Sequence, residues 1–264
     1  ALVSLGATGG TVVIDQSKKY LIDNNLTVPA GCAILGGLQI VGNPSAGNST
    51  ASAIWNYGSC LIVNSSKTIT LNGSASIVGC LVLRKGMVAP ENDASAYAGT
   101  AITAAGDDVL LRYCLIIGFN KLFSSTNFQR TVLDHVQGDG VNGFEIINAL
   151  DVPKLTNCHL WPFGTIDATT PVTTFGSGNY LHRTGKGYFV QTVGDQLRMT
   201  NCFDYGHTEA FRVDNANNVT FTACHADDIS QVGSPYAVAG TLGFYVTGSS
   251  NETLFLGCQS LAKE

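Results

Sequence analysis

A period constrains this chain more than any single motif. From Cys224, steps of 22 residues toward the N-terminus land on Cys202, Tyr180, Cys158, Val136 and Cys114 with no insertion or deletion. One position earlier the same steps read Ala223, Asn201, Asn179, Asn157, His135 and Tyr113. Three positions before the Cys column stand Phe221, Met199, Ser177, Leu155, Leu133 and Leu111, all large and apolar except the serine. A unit this short cannot bury its own apolar face. Repetition at fixed spacing therefore points to units stacked on one another.

Within each unit the apolar pieces are short and rich in β-branched and aromatic residues: "VLL" (109–111), "FEII" (144–147), "YFV" (188–190), "FRV" (211–213) and "VTF" (219–221). They lie between Gly, Asn and Asp, the pattern of strands bounded by turns. Nowhere does a 3.6-residue apolar period run long enough for a helix. The expected fold is all-β: a right-handed parallel β-helix, a solenoid of about 22 residues and three short strands per turn, with rungs about 4.8 Å apart. In such a stack the Cys column fills a narrow interior with small apolar groups. The Asn column marks a turn that takes left-handed backbone and lets amides stack. Free thiols and rung-to-rung disulfides both fit the column, although inward stacking needs no covalent bond.

The period loosens toward the ends. Cys60 to Cys80 is 20 residues, while Cys80 to Cys114 and Cys224 to Cys258 are each 34, one unit plus a 12-residue insertion. The insertions fall on "MVAPENDASAYA" (87–98) and around "QVGSPYAVAG" (231–240), both rich in turn formers and candidate binding loops. One domain is expected over 1–264, with an N-terminal cap and first rungs to about 59 and regular rungs over about 60–230. A loop insertion at about 229–242 precedes the last rungs.

Only 12% of residues are charged and the net charge of −5 is spread without basic clusters, which argues against a nucleic-acid partner. No apolar run approaches the roughly 20 residues that span a bilayer, so no membrane insertion is expected. The first residue is Ala1 and no signal peptide pattern opens the sequence, which points to a processed or excised piece of something longer. Eight cysteines without a single C-x-x-C give no legible metal site, so neither metal nor cofactor is expected.

The N-terminal "LGATGGTV" has the glycines of a dinucleotide-binding turn, but that turn must open a helix, and "TVVIDQSKKYLIDNNLTVPAGCAILGG" reads as strands and turns. The same segment, with Gly9, Gly10, Thr11, Val12, "YLI" (20–22), "LTVPAG" (26–31) and "ILGG" (34–37), resembles the opening of bacteriophage tailspike and prophage proteins of the pectate-lyase-like β-helix superfamily. "GDGVNGFEI" (138–146) and "NCHLWPF" (157–163) extend that resemblance over nearly the whole chain. It implies a homotrimer at a phage tail, beside other tail proteins, that recognises and often cleaves a bacterial surface polysaccharide. The location implied is the virion tail, extracellular after assembly in the host cytoplasm, or a secreted protein as in the pectinases. Neither a calcium-lyase constellation nor a complete polygalacturonase set of Asp motifs is present, which tells against a pectin-specific activity.

The chemistry is expected three residues beyond the Cys column, where strand alternation turns side chains outward. That column reads Ile117, Asp139, Trp161, Arg183, Tyr205 and Asp227, flanked by His159, His182, His207 and His225. Flat aromatics with Arg and Asp suit a sugar groove, and equally a trimer contact. Hydrolysis needs two carboxyls, and Asp227 with Asp204 on the adjacent rung is the first candidate pair, with Asp228 and Glu209 as substitutes. Asp134, Asp139 and Glu145 form a second, separate candidate set. A uronate lyase built on Arg183, His182 and Tyr205 is the enzymatic alternative. A non-catalytic receptor-binding or structural tail protein would use the same stripe.

Overall fold

The computed structural model describes residues 9–38, 59–87, 96–161, 163, 183–227 and 242–261. Among them every regular element is a strand and every ladder is parallel. One sheet holds nine strands: Gly10–Val13, Cys32–Leu35, Ser76–Val78, Leu110–Arg112, Val132–Asp134, Lys154–Thr156, Arg198–Thr200, Thr220–Thr222 and Leu254–Leu256. A second sheet of fifteen strands is two ladders fused. One runs through Lys19–Ile22, Cys60–Val63, Leu81–Arg84, His159–Leu160, Phe203–Tyr205, His225–Asp227 and Gln259–Leu261. The other runs through Leu26–Val28, Ile69–Leu71, Thr100–Ala104, Arg183–Gln191, His207–Asp214 and Leu242–Thr247. The long strands Leu115–Thr126 and Gln137–Ile147 belong to both and join them. Successive coils visit the first, second and third ladders in that order, which is consistent with a parallel β-helix.

The turn from first to second ladder explains the columns. Tyr113, His135, Asn157, Asn201 and Ala223 all sit in left-handed backbone with φ between 50° and 54°, and Gly79 and Gly257 occupy the same slot with φ of 67° and 62°. Asn and Gly take this conformation at least cost. The Asn201 side-chain amide donates to Asn157 Oδ1 at 2.8 Å, so the expected amide ladder is formed. The next residue points inward, a Cys in every one of these coils except the His135 coil, where it is Val136. Cys80, Cys114, Cys158, Cys202 and Cys224 are buried, and each Sγ donates to the carbonyl two residues before it. All eight cysteines are free thiols. Burial pushes the Cys114 thiol up to about 11 and raises Cys202, while the contact with Cys202 and then burial raise Cys224, so these thiols serve as packing rather than as nucleophiles.

Two expectations about the period need correction. Lys154–Thr156 bonds directly to Arg198–Thr200, with Leu155 opposite Met199, so these 44 residues make one coil and not two. The register in sequence survives because the extra stretch happens to be as long as a coil. Tyr180, Asn179 and Ser177 lie outside the described residues, and no rung containing them separates those two strands. Cys60 also leaves the interior column: it pairs with Leu81 and faces the outside of the second ladder.

At the bend from second to third ladder the backbone must come close to side chains of the next rung. Gly138 and Gly140 sit there against the Leu122 side chain, and a Cβ at either would also crowd a backbone carbonyl, that of Ile116 at 3.1 Å or that of Asn142 at 2.7 Å. Inside, Tyr188, Phe211 and Phe244 stack on successive rungs of the third ladder, with centroids 4.6 and 4.8 Å apart and planes within 8°. Rung spacing and ring stacking distance coincide, so each ring completes the contact of the one below.

Candidate functional site

The outer face of the second ladder carries the expected column, extended at both ends: Leu21, Ile62, Leu83, Ile117, Asp139, Trp161, Tyr205, Asp227 and Leu261. Much of it is covered. Cys60, Leu81, Leu83, Leu115, Ile117 and Phe163 form a second, smaller core outside the coil, with Leu38, Ile62, Met87 and Trp161 packed against it. Ile117, Asp139 and Tyr205 are buried, so this stripe is not the open platform that alternation alone suggests.

Arg183 is the clearest displacement. Its strand lies in the third ladder, opposite His207, and not between Trp161 and Tyr205. The guanidinium nevertheless returns to the outer stripe and donates to Asp139 Oδ1 from Nη2 at 2.6 Å and from Nε at 3.2 Å. The Tyr97 hydroxyl donates to Asp139 Oδ2 at 3.1 Å, and the Arg183 guanidinium lies 5.7 Å from the Tyr97 ring centre. With side-chain exposures of 2% and 1%, Arg183 and Asp139 form a buried ion pair within the covering layer.

The carboxylates proposed as a catalytic pair are on opposite faces. Asp204 stands opposite Ala226 and points inward, while Asp227 stands opposite Tyr205 and points outward. Asp204 is fully buried, its Oδ1 2.7 Å from His207 Nδ1. His207 Nε2 meets the Gly140 carbonyl at 3.2 Å. A carbonyl only accepts, so Nε2 carries a proton. The Asp204–His207 contact lies off the hydrogen-bond axis and acts as a close electrostatic contact. Burial pushes the Asp204 carboxyl up, partly offset by His207. Together they brace the bend between ladders, leaving neither residue open to a substrate.

The second candidate set is also dispersed. Asp134 is on the first ladder, bonded to Arg112 Nε at 2.9 Å and His135 Nδ1 at 2.7 Å. Asp139 is in the buried pair, and Glu145 is on the outer face of the third ladder. Asp228 and His182 lie outside the described residues, as does most of the 229–242 insertion.

His159, Trp161, Phe163, Phe203 and Tyr205 gather into an aromatic cluster. His159 sits edge-on to Phe203 at 4.7 Å, and Trp161 lies 4.3 Å from Tyr205. His225 pairs with Phe203 on the next rung. Burial pushes His159 down to about 4, so it is neutral at pH 7. The unfolded chain, with an ordinary histidine near 6.5, binds more protons than the folded chain between these values. Stability is therefore expected to fall by up to roughly 3 kcal/mol as pH drops from 6.5 toward 4. Asp204 works in the opposite sense, so the check compares urea titrations of the parent and His159→Phe. The difference between them should change with pH in that window, and a pH-independent difference would refute it.

An open groove is found instead on the outer face of the third ladder. Two clefts of about 260 and 360 Å³ share Asn120, Asn142 and Lys186. Lys121, Glu145 and Phe189 line the first, and Thr184, Thr208 and Glu209 line the second. Lys121 Nζ pairs with Glu145 Oε1 at 2.6 Å, and Ser124 Oγ donates to the same oxygen at 2.8 Å. Arg212 pairs with Glu209 at 3.0 Å and lies 4.2 Å over the Tyr245 ring. Lys186 Nζ sits 4.6 Å from the Phe189 ring centre, and its backbone N–H donates to Asn142 Oδ1 at 3.1 Å. Of these residues only Glu145 and Glu209 are legible as candidates in sequence. The rest were missed because the third-ladder columns step by 44, 23 and 33 residues through Glu145, Phe189, Arg212 and Tyr245, so the period that aligns the Cys column scatters them.

Among the described residues no group of three or more His, Cys, Asp and Glu side chains is placed to hold a metal ion. No protein-family model, curated protein or solved structure is significantly similar to this chain.

Proposed function

We propose that this chain is a right-handed parallel β-helix of the phage tailspike kind, carried on a virion tail, that binds a bacterial surface polysaccharide along the third-ladder groove. The observation that carries the reading is the groove itself. It combines amides (Asn120, Asn142), hydroxyls (Thr184, Thr208), paired charges and a half-buried aromatic ring, Phe189, on one face. Such side chains match the hydroxyls and the apolar ring faces of sugars, and repetition along the coil suits a polymer better than a small molecule. Handedness follows the strong general preference of parallel crossovers, about 98% right-handed. Three copies side by side are the assembly implied by the resemblance, and a sedimentation mass near one chain would contradict it.

Binding is the primary reading because Asp204 and Asp227 face apart. Hydrolysis is a second reading, supported by one observation: Glu145 and Glu209 line adjoining clefts, and Glu209 Oε2 is buried without a hydrogen-bond partner. The test incubates the protein with capsular and O-antigen polysaccharides and measures retention and new reducing ends. Phe189→Ala is expected to weaken retention about tenfold, the scale of a lost aromatic contact. Reducing ends that vanish in Glu209→Gln would support hydrolysis. Retention without cleavage supports a receptor-binding protein, and no retention of any polymer refutes the proposal.

A further inference from the structure

We infer that the groove selects a sugar bearing a carboxylate, held by the ammonium of Lys186; this rests on the polysaccharide-binding reading and names its substrate class. Charge accounting within the groove is the first argument. Glu145 pairs with Lys121 at 2.6 Å, and Glu209 pairs at 3.0 Å with Arg212, which also reaches Asp214 at 3.5 Å. Each of the two groove carboxylates thus has a cationic partner. Lys186 lines both clefts, stands opposite Glu209 on the next rung, and makes no ion pair within 4 Å among the described residues, so its ammonium is the groove cation left to meet an anionic ligand.

Local backbone geometry is the second argument. The pairing of Arg183–Gln191 with His207–Asp214 shifts register between Arg183 and Lys186. Irregularities of this kind re-aim a side chain relative to the regular pleat and gather at functional sites. Gly185, inside the irregularity, packs so closely on Asn142 that a Cβ would strike its side-chain oxygen and the Val141 carbonyl. Asn142 Oδ1 in turn takes the Lys186 N–H at 3.1 Å. The strand is pinned on the neighbouring rung where Lys186 leaves it, and the ammonium rests over Phe189 at 4.6 Å. A ring beneath a cation presents a sugar face and a counter-charge together. A carboxylate on a ring lying against Phe189 meets an ammonium already partly desolvated, where an ion pair is stronger than in bulk water.

The experiment uses one acidic capsular polysaccharide, the same polymer after carbodiimide activation and borohydride reduction of its carboxylates to alcohols, and neutral dextran. The parent protein is expected to bind the acidic polymer about tenfold more tightly than its reduced form. Lys186→Met should lose about that factor on the acidic polymer and little on the reduced one, while Lys186→Arg keeps most of the discrimination. Matching thermal melts show that the variants are folded. Equal affinity for acidic and reduced polymers, or an equal loss on both in Lys186→Met, overturns the inference and leaves polysaccharide binding standing. Failure to bind all three polymers in the parent overturns the inference together with the reading beneath it.

Discussion

Asp139→Ala is expected to destabilise the protein by about 3–5 kcal/mol, because it removes one carboxylate from a buried, charge-assisted contact with the Arg183 guanidinium. The pair is sealed at 2% and 1% exposure, so solvent screening does not soften the loss. Tyr97, whose hydroxyl donates to the same carboxylate, loses its acceptor as well. In urea denaturation the midpoint should fall with the slope unchanged. Replacing both members by apolar residues, Asp139→Leu with Arg183→Met, should recover most of the loss, since paired buried charges repay little beyond their own desolvation. A single-variant loss below about 1 kcal/mol would show that the pair is hydrated in solution and that the covering layer opens readily.

The second large effect concerns the interior. Phe211→Ala removes a fully buried ring that stacks between Tyr188 and Phe244 and meets Phe221 edge-on at 5.7 Å. A cavity at mid-stack is flanked by rigid parallel strands that cannot collapse into it, so the expected cost is about 3–5 kcal/mol. Phe255 stacks on Phe221 in the same manner at 5.0 Å but is 40% exposed on the last rung. Phe255→Ala should cost less than half as much, because it gives up less burial and leaves no enclosed void. Equal losses for the two would mean that the last rung is as well covered in solution as the middle of the stack.

These two variants test parts of the fold that differ in how far sequence revealed them. The interior was legible: the Cys column, the residues three before it and the Asn turn all recur because every rung repeats the same backbone in the same surroundings. Left-handed φ at Asn157 and Asn201 and inward thiols at Cys158 and Cys202 follow from that repetition alone. The Asp139–Arg183 pair was only half legible. Both residues were singled out by type, but Arg183 was assigned to the wrong ladder because an excursion as long as one coil leaves the sequence register intact. Counting residues cannot distinguish a rung from a loop of equal length. Hydrogen bonding can, and it joins Leu155 to Met199 directly.

The same limit governs the candidate site. Alternation correctly turned Asp227 outward and Asp204 inward, yet proximity along the coil suggested a pair where the sheet itself separates them. The groove residues Lys186, Phe189 and Arg212 stand in columns whose spacing varies with the length of the second-to-third turn, so no fixed step finds them.

By itself, then, the sequence determined the strand content, the repeating coil and the composition of its interior. Interior packing is local, identical from rung to rung, and therefore periodic. Only the tertiary structure decided which outward residues are covered, which carboxylates share a face and where an open groove lies. Those depend on the unequal lengths of chain between successive strands, which leave no period behind.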